Sequence, residues 1–455
     1  MEDVGLLLLL QKAATLWLCL EFTFYVYMVY CLVPSVQPVN SAEQFLWTDP
    51  VIQIQKIYDM LAKLKSYDFK NWLSGFCIGS KVEDVKAGNA SSFLAWSIYS
   101  REFSDLSDDE QKVVQRLLKE AEERFGITFE EGHNATVQHV RFNLAPVPYA
   151  HHLAVQYLLL NVIEGYSNVI NLYSKGFRHF RCSNGTTYWF RAGRNGKDTI
   201  PMLFMHGICT GWNPYIKLIE EVGGVDRDVI LFDYRCIKIN HIDVHVPDAM
   251  EVNAAVLDIT RRHNITRLSI VAHSWGTFLA GWVVRMSPHL VSHITLIDPV
   301  SLMVVFPETT YTLLYKPPTV FLDYLLLYFI RHNLSISNTV YRHFSWYNGQ
   351  FWLDSIPEHI GIAIGVAGND DLVHCSALCE LIDNANKVNS IMKDDDNDNS
   401  DLRKGKDEKE EQGQVGRREI KKLVWEAYTH GQAVYCDASI RDIKDAILEG
   451  ERLGG

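Results

Sequence analysis

The strongest structural signal in this chain is the run Arg267-Leu-Ser-Ile-Val-Ala-His-Ser274-Trp-Gly-Thr-Phe-Leu-Ala-Gly-Trp-Val-Val-Arg285. Its apolar first part ends at His273, and small residues and then apolar residues at helical spacing follow at once. This pattern predicts a strand, a tight turn and a helix, with Ser274 at the apex of the turn. Ala272 and Gly276, two positions before and after the serine, are small, as such a crowded turn requires.

The pattern around Ser274 is A-x-S-x-G, which resembles the nucleophile elbow of the α/β-hydrolase superfamily, where G-x-S-x-G is commoner. The departure is one methyl group, because Ala272 stands in place of a glycine. The resemblance implies that Ser274 is a nucleophile exposed above the edge of a sheet. From this pentapeptide alone, an ordinary strand-to-helix connection with a capping serine is an equal alternative.

The segments around the elbow predict the rest of a sheet. Asn184-Gly185 lies between two alternating segments, 177–182 and 187–192, which is the pattern of a β-hairpin. Apolar strand segments separated by helical patterns indicate a mostly parallel sheet with helices on both faces. These segments are 200–207, 228–235, 268–273, 292–299, 360–368 and 423–430. We therefore expect an α/β-hydrolase domain over residues 177–455.

A candidate acid and a candidate base follow the serine at the ends of two later strands. Asp370 follows the strand at 360–368, and His430 stands at the end of the last predicted strand. Ser274, Asp370, His430 is the chain order of the α/β-hydrolases, so we expect these residues to form a catalytic triad. Two alternative acids are Asp371, which adjoins Asp370, and Asp298, which follows the preceding strand.

Acyl transfer also needs hydrogen-bond donors for the oxyanion that develops during the reaction. The resemblance implies the backbone N–H of Trp275 as one donor, because it is the residue after the nucleophile. The second donor is expected from Ile208, or from Cys209, just after His206-Gly207. His206 itself is expected to be structural. The reaction implied requires no metal and no organic cofactor.

Two inserts interrupt the alternation of strands and helices. Residues 301–355 are far richer in aromatic residues than the chain average of 12% and are expected to cap the serine. This composition fits an apolar acyl-chain pocket or contact with a membrane, and equally a helical subdomain with its own core. Residues 393–416 are charged and of low complexity, which predicts a disordered acidic loop. Its alternating aspartates lack the glycine and glutamate of a calcium loop.

The part of the chain before the sheet is expected to be helical over residues 42–172. Ser107 and Glu110 form a capping box, and Gly126 suits the end of the helix that follows. The apolar stretch from His151 to Ile170 predicts a buried or membrane-apposed helix. The pair His151-His152 is a poor metal site, since adjacent residues on a helix point in different directions and no further ligands cluster nearby.

Residues 1–34 are expected to be a membrane anchor. The run from Ala13 to Val33 is apolar except for Glu21 and is long enough to cross a bilayer as a single helix. A cleaved signal peptide, a monotopic helix and a helix buried on the domain are the alternatives. The sequence leaves orientation and organelle open. The endoplasmic reticulum is one candidate, and five N-x-[ST] sequons slightly favour a lumenal or outward domain.

The composition is that of a globular protein of 455 residues, 47% of them hydrophobic and 22% charged. The net charge of −12 argues against nucleic acid as a partner. Nine cysteines are scattered without the rhythm of a disulfide framework.

Taken with the motifs, the resemblance implies a membrane-anchored lipase- or esterase-like serine hydrolase. We expect it to cleave a carboxylic ester of a lipid or other apolar acyl substrate through an acyl-Ser274 intermediate. An acyltransferase on the same triad and a non-catalytic binding protein of the same fold are the alternatives.

Overall fold

The computed structural model describes residues 2–36, 49–194, 199–209, 211–402 and 419–453. At its centre is one sheet of eight strands in the order β1-β2-β4-β3-β5-β6-β7-β8. The strands are β1 (Arg178–Arg181), β2 (Thr187–Arg191), β3 (Met202–Met205), β4 (Val229–Asp233), β5 (Leu268–His273), β6 (Val291–Ile297), β7 (Gly361–Ala367) and β8 (Ile420–Trp425).

The sheet is parallel from β4 to β8 and antiparallel at its β1 and β2 edge. Strands β3 to β6 are buried along their whole length, because helices cover both faces of the sheet. The hairpin predicted at Asn184-Gly185 joins β1 to β2, with Gly185 in the left-handed region at φ 92°. The mostly parallel sheet expected from the sequence is confirmed.

Helices of the described residues surround the sheet and precede it. They are α1 (Glu2–Tyr27), α2 (Pro50–Lys63), α3 (Phe69–Phe76), α4 (Ala87–Tyr99), α5 (Asp108–Phe125), α6 (Ala154–Asn171), α7 (Ile216–Gly223), α8 (Ala249–His263), α9 (Gly276–Met286), α10 (Val300–Met303), α11 (Pro307–Thr310), α12 (Phe321–Leu326), α13 (Leu334–Arg342), α14 (Trp346–Gly349), α15 (Cys375–Leu402) and α16 (Asp437–Leu453).

The last strand is shorter than the sequence suggested. It ends at Trp425, and a turn carries the chain from there to His430. The backbone N–H of Tyr428 donates to the carbonyl of Trp425 at 3.0 Å, which closes this turn. Within this turn the ring of Tyr428 stacks on that of Trp425, with centroids 6.1 Å apart.

The N-terminal helices α2 to α5 share one hydrophobic core with the sheet domain. Trp72 of α3 is buried and donates its indole N–H to the carbonyl of Val305 at 2.7 Å. Trp346 of the cap donates to the carbonyl of Ser97 in α4 at 2.9 Å. The predicted capping box at Ser107 and Glu110 is present at the start of α5. The helical region therefore packs onto the cap.

The segment 301–355 consists of short helices and π-helical turns at Tyr311–Tyr315 and Leu327–Arg331. It lies over the end of the sheet that carries Ser274, since Leu314, Val340 and Phe344 line a cavity beside that serine. Residues of the aromatic insert therefore form part of the wall beside the serine.

The prediction of a loop from residue 393 is wrong for its first residues. The backbone of α15 continues as a helix to Leu402. A helix that has already formed over the apolar residues from Cys375 can extend through polar residues at little further cost, because propagation is easier than nucleation. The rest of the predicted acidic loop, residues 403–416, lies outside the described residues.

The N-terminal helix is long and apolar enough to cross a membrane over Leu9–Ser35, a property that a signal sequence near an N-terminus would share. Its one charged residue after Lys12, Glu21, is bonded to the rest of the protein. The carboxylate accepts from the backbone N–H of Ala154 at 3.0 Å and contacts His151 Nε2 at 3.0 Å. The charge therefore has partners although it lies in an apolar helix.

Helix α6 is not buried, so that part of the prediction for 151–170 is wrong. Most of its apolar side chains are exposed, and its buried residues are Tyr157 and Glu164. Glu164 pairs with Lys238, which is 74 positions away in the chain. The sequence of the helix alone therefore could not show which of its sides faces the protein.

Two of the five sequons cannot carry a glycan in this fold. Asn89 is buried and bonded to Asn134, and Asn333 is buried at the start of α13. All nine cysteines are free thiols.

Candidate active site

Ser274 occupies a strained turn between β5 and α9. Its φ is 51°, in the left-handed region that residues with a side chain rarely adopt. The backbone N–H of Ser274 donates to the carbonyl of Ile297 at 3.0 Å, and the hydroxyl of Thr277 donates to the carbonyl of Ser274 at 2.6 Å. A Cβ on Gly276 would lie 2.2 Å from the carbonyl oxygen of Met205, so this position of the motif must be glycine.

The structure brings the three predicted triad residues into contact. Ser274 Oγ lies 2.8 Å from His430 Nε2, and His430 Nδ1 lies 2.7 Å from Asp370 Oδ2. The other carboxylate oxygen of Asp370 accepts from the backbone N–H groups of Leu372 and Val373 at 2.8 and 3.0 Å. Asp370 is therefore fixed by the start of its own loop and holds the imidazole from the side opposite the serine.

The surroundings of His430 favour its protonated form. Burial lowers the pKa of this imidazole, but the hydrogen bond and charge of Asp370 raise it, and the charges of Asp298 and Asp371 add to that effect. The net shift is upward from the ordinary value. An imidazole in this position can accept a proton from Ser274 and keep it for the next step.

The two alternative acids have other partners. Asp371 is largely exposed and pairs with Lys316 at 3.0 Å. Asp298 is fully buried, and its two oxygens accept from the backbone N–H groups of Ala367 at 2.9 Å and Gly431 at 2.8 Å. Asp298 therefore joins the end of β7 to the loop that carries His430.

The two predicted oxyanion donors both line the cavity beside Ser274. Within the described residues, the backbone N–H groups of Ile208 and Trp275 donate to no acceptor in the chain. The alternative donor Cys209 is occupied, because its N–H donates to the carbonyl of Ile237 at 3.3 Å. Of the two candidates for the second donor, the geometry favours Ile208.

A family model described as the alpha/beta hydrolase fold matches residues 200–354. This match spans β3 to the cap and contains the elbow at Ser274. The chain has the α/β-hydrolase fold. That expectation from the sequence is confirmed, together with the presence of an apolar N-terminal helix.

Solved structures resemble the chain only distantly. A bacterial membrane phospholipase A is 12% identical, with a TM-score of 0.37 over 66% of this chain and 94% of its own. A carboxylesterase from Bacillus subtilis is 10% identical, with a TM-score of 0.36 over 65% and 99%. A haloalkane dehalogenase from Bradyrhizobium elkani is 14% identical, with a TM-score of 0.38 over 61% and 99%. No curated protein sequence matches the chain.

Tyr215, which the sequence did not single out, holds the loop that carries Ile208. The hydroxyl of Tyr215 accepts from the backbone N–H of Gly207 at 3.0 Å, directly before Ile208. The same hydroxyl lies 3.0 Å from Nδ1 of His273, whose ring faces Asp298 at 3.8 Å. No local pattern marks Tyr215, because its role depends on a contact with a residue 58 positions away.

The other histidines near the site have structural partners. His206 is buried, with Nδ1 at 2.8 Å from the carbonyl of Gly207 and Nε2 accepting from the N–H of Tyr234 at 3.2 Å. Burial lowers the pKa of His206 to about 4, so its ring is neutral at pH 7. His374 stacks edge-on against Tyr67 at 4.9 Å, away from the serine.

The cavity beside Ser274 is narrow and apolar. Its volume is about 50 Å³, and Phe142, Phe278 and Phe344 are among its walls. A larger cavity of about 590 Å³ lies between α2 and α15, where Lys56 and Asn384 line it, and it contains none of the triad residues. Of these two cavities, the small one is therefore the one from which a bound group could reach Ser274.

Asp298, Asp370 and His430 offer ligand atoms within 4.8 Å of one another. Each atom already has a partner in the chain: Asp298 binds two backbone N–H groups, and His430 lies between Asp370 and Ser274. Hydrogen bonds directed at single partners suit proton transfer better than the ligation of an ion.

Proposed function

We propose that this protein is a serine hydrolase that cleaves carboxylic esters with an apolar acyl group. The observation that carries the proposal is the continuous contact from Ser274 Oγ to His430 Nε2 and from His430 Nδ1 to Asp370. Nucleophilic catalysis by a serine needs a base within hydrogen-bond reach and a third group that orients the base.

The first half of the reaction makes an acyl-enzyme. Ser274 Oγ attacks the ester carbonyl carbon while His430 Nε2 takes the hydroxyl proton, and Asp370 stabilises the imidazolium that results. The N–H groups of Trp275 and Ile208 donate to the carbonyl oxygen as it becomes negative. His430 then gives its proton to the leaving alkoxide, and the carbon–oxygen bond to the alcohol breaks.

The second half returns the enzyme to its starting state. Water gives a proton to His430 and attacks the acyl carbon, and collapse of the intermediate releases the carboxylic acid and restores the hydroxyl of Ser274. The left-handed backbone of Ser274, at φ 51°, fits this role, because the turn that exposes a nucleophilic serine between a strand and a helix is typically strained.

The walls of the cavity suggest the acyl group. Aromatic and aliphatic side chains such as Phe278, Leu314 and Phe344 surround the space beside the serine. This lining favours an apolar acyl chain. Since the cavity has a volume of only about 50 Å³, a long chain requires a movement of the cap.

The N-terminal helix suggests where the substrate is found. Leu9–Ser35 has the length and composition to anchor the protein in a bilayer by one pass. We propose that α1 is an uncleaved anchor and that the esters cleaved are lipids or other apolar esters of the same membrane.

The proposal is tested with a fluorophosphonate probe, which reacts only with an activated serine. Wild-type protein is expected to label and to hydrolyse p-nitrophenyl esters, and Ser274→Ala is expected to do neither. Ser301→Ala is the matched control, since Ser301 is a buried serine near the elbow whose hydroxyl makes no hydrogen bond. A folded wild-type protein that never labels, or a labelled Ser274→Ala protein, would overturn the proposal. Products formed with added alcohols would separate hydrolysis from acyl transfer.

A further inference from the structure

Helix α6 presents its apolar side to the outside and its polar side to the protein. Leu158 is 64% exposed and Tyr166 is 70% exposed, and between them Leu159, Val162 and Ile163 are each at least 50% exposed. Glu164, the only charged residue of the helix, is buried. A surface helix in water normally has the opposite arrangement, with its apolar stripe against the core.

Buried polar contacts fix this orientation. Glu164 Oε1 accepts from Lys238 Nζ at 2.5 Å, and Lys238 also pairs with Asp233 at 3.1 Å. Asn240 donates to the other oxygen of Glu164. Turning α6 so that its apolar side faced the protein would leave Lys238 buried without one of its two carboxylates, which is unfavourable. The outward apolar face is therefore built into the fold.

A second exposed apolar element lies beside α6. Phe321 in α12 of the cap is 77% exposed, and its neighbours Leu322 and Tyr324 are also exposed. The turn after α12 contacts the start of α6, because His152 Nε2 lies 2.8 Å from the carbonyl of Tyr328 and the hydroxyl of Tyr328 donates to Gln156 at 3.1 Å. The two apolar faces are thus neighbours.

The N-terminal helix joins the same surface. Glu21 of α1 is bonded to the first residue of α6, and the ring of Phe24 lies 6.1 Å from the ring of Tyr157. The helix that can cross a bilayer therefore contacts α6 near its own middle, and α6 cannot lie far from any membrane that holds α1.

We propose that the outward faces of α6 and α12, which we call the docking surface, insert into one leaflet of the bilayer that holds α1. The inference rests on the anchorage proposed above. The chemistry of the docking surface favours a lipid bilayer as its occupant. The outward face of α6 carries no charge, and α6 contacts α1, a helix long and apolar enough to cross a bilayer. The buried pair of Glu164 and Lys238 then lies on the side away from lipid.

The docking surface is connected to the cavity beside Ser274. Arg331, at the end of the turn after α12, donates to the carbonyls of Thr312 and Lys316. These carbonyls flank Leu313 and Leu314, which line the cavity. Insertion of α12 into lipid therefore places the cap segment over the serine next to the bilayer, so that an ester can reach the site directly from the membrane.

The test uses the full chain in phosphatidylcholine vesicles that contain a phosphatidylcholine with a diazirine in the middle of one acyl chain. After illumination, mass spectrometry identifies the peptides bound to lipid. We expect label on peptides from α6 and α12 as well as from α1. Because the docking surface is apolar, 1 M salt should leave this labelling unchanged, since salt screens only charge interactions.

Matched variants test the surface itself. Leu158→Glu with Val162→Lys places a favourable i, i+4 pair on the outward face of α6, so the helix is preserved in water while the face becomes charged. Labelling of α6 should fall about tenfold or more, because charged residues enter hydrocarbon poorly. Leu448→Glu on α16, which has Arg452 four residues later and is also exposed, should leave the labelling of α6 unchanged.

The outcomes separate this inference from the proposed chemistry. Label on α1 alone would overturn the docking surface and leave the anchor, and crosslinks of α6 to a second copy of the chain would replace lipid by a protein partner. Label absent from all three helices would overturn both the anchor and the docking surface. None of these results depends on Ser274, so the Ser274→Ala protein should label with lipid as the wild type does.

Discussion

The three carboxylates around His430 can be separated by single substitutions to asparagine. Asp370→Asn removes the charge that stabilises the imidazolium and can present an amide N–H to Nδ1, which favours the wrong tautomer. In the Ser-His-Asp triad of chymotrypsin-like proteases this change lowers kcat about 10⁴-fold. We expect a loss of the same order here, which corresponds to about 5.4 kcal/mol in the activation free energy.

Asp298→Asn should have a smaller effect of a different kind. Asp298 contacts the backbone N–H groups of Ala367 and Gly431, so the change weakens the support of the loop that carries His430. A hydrogen bond to a charged group is worth about 1.5–3 kcal/mol, so we expect a loss of stability of that size and a fall in kcat of roughly ten- to a hundredfold. Asp371→Asn should change kcat by no more than about twofold, because its pair with Lys316 is exposed.

The assay is the hydrolysis of a soluble p-nitrophenyl ester, with the active enzyme counted by fluorophosphonate titration and folding checked by thermal unfolding. Because kcat is then calculated per titrated active site, unfolded protein in a variant preparation does not lower its value. A loss of kcat in Asp298→Asn as large as that in Asp370→Asn would make Asp298 the orienting acid and refute the role of Asp370. If all three variants keep a kcat within tenfold of the wild type, His430 needs no carboxylate and the triad is refuted.

The raised pKa of His430 places the acid limb of the kcat/KM profile above the ordinary imidazole value of about 6.5, since the base must be neutral to take the serine proton. Asp298→Asn removes a nearby negative charge and should move this limb to lower pH; an unchanged limb would exclude that charge as a cause. Ser274→Gly should be more stable than Ser274→Ala by about 1 kcal/mol in urea unfolding, because glycine relieves the left-handed backbone at φ 51°; equal stabilities would mean that the elbow stores no strain. Phe344→Ala should widen the cavity and shift the preferred p-nitrophenyl ester to a longer acyl chain, and an unchanged chain-length profile would place the acyl group elsewhere.

The features that could be predicted from the sequence are those that depend on neighbouring residues. Continuous apolar runs marked β3 to β7, and small residues around Ser274 marked the elbow. Ser274, Asp370 and His430 each follow a predicted strand, in the chain order of the α/β-hydrolases. Parallel strands end at the same edge of a sheet, so these residues were expected to meet there.

The features that could not be predicted depend on distant partners. Nothing within α6 shows that Glu164 would pair with Lys238, so the composition left a buried and a membrane-apposed helix as alternatives, and the structure shows its apolar side facing outward. The choice among three aspartates was also open, because the sequence does not show that the two oxygens of Asp298 bind Ala367 and Gly431. In the structure, Asp370 is the one of the three that contacts His430 Nδ1, at 2.7 Å.

The site depends on the register of four neighbouring strands. Ala272 of β5 lies beside Leu296 of β6, Ile297 of β6 beside Gly365 of β7, and Ala367 of β7 beside Trp425 of β8. Each strand leaves the sheet within a few residues of these pairs and delivers one group of the site. A slip of one residue in any pair would turn the side chains of that strand to the other face and move its loop by about 3.3 Å, more than the 2.7–2.8 Å hydrogen bonds of His430 could span. Asp298 is hydrogen-bonded to both the end of β7 and the loop that carries His430, so a slip of β6, β7 or β8 would break at least one of these two bonds.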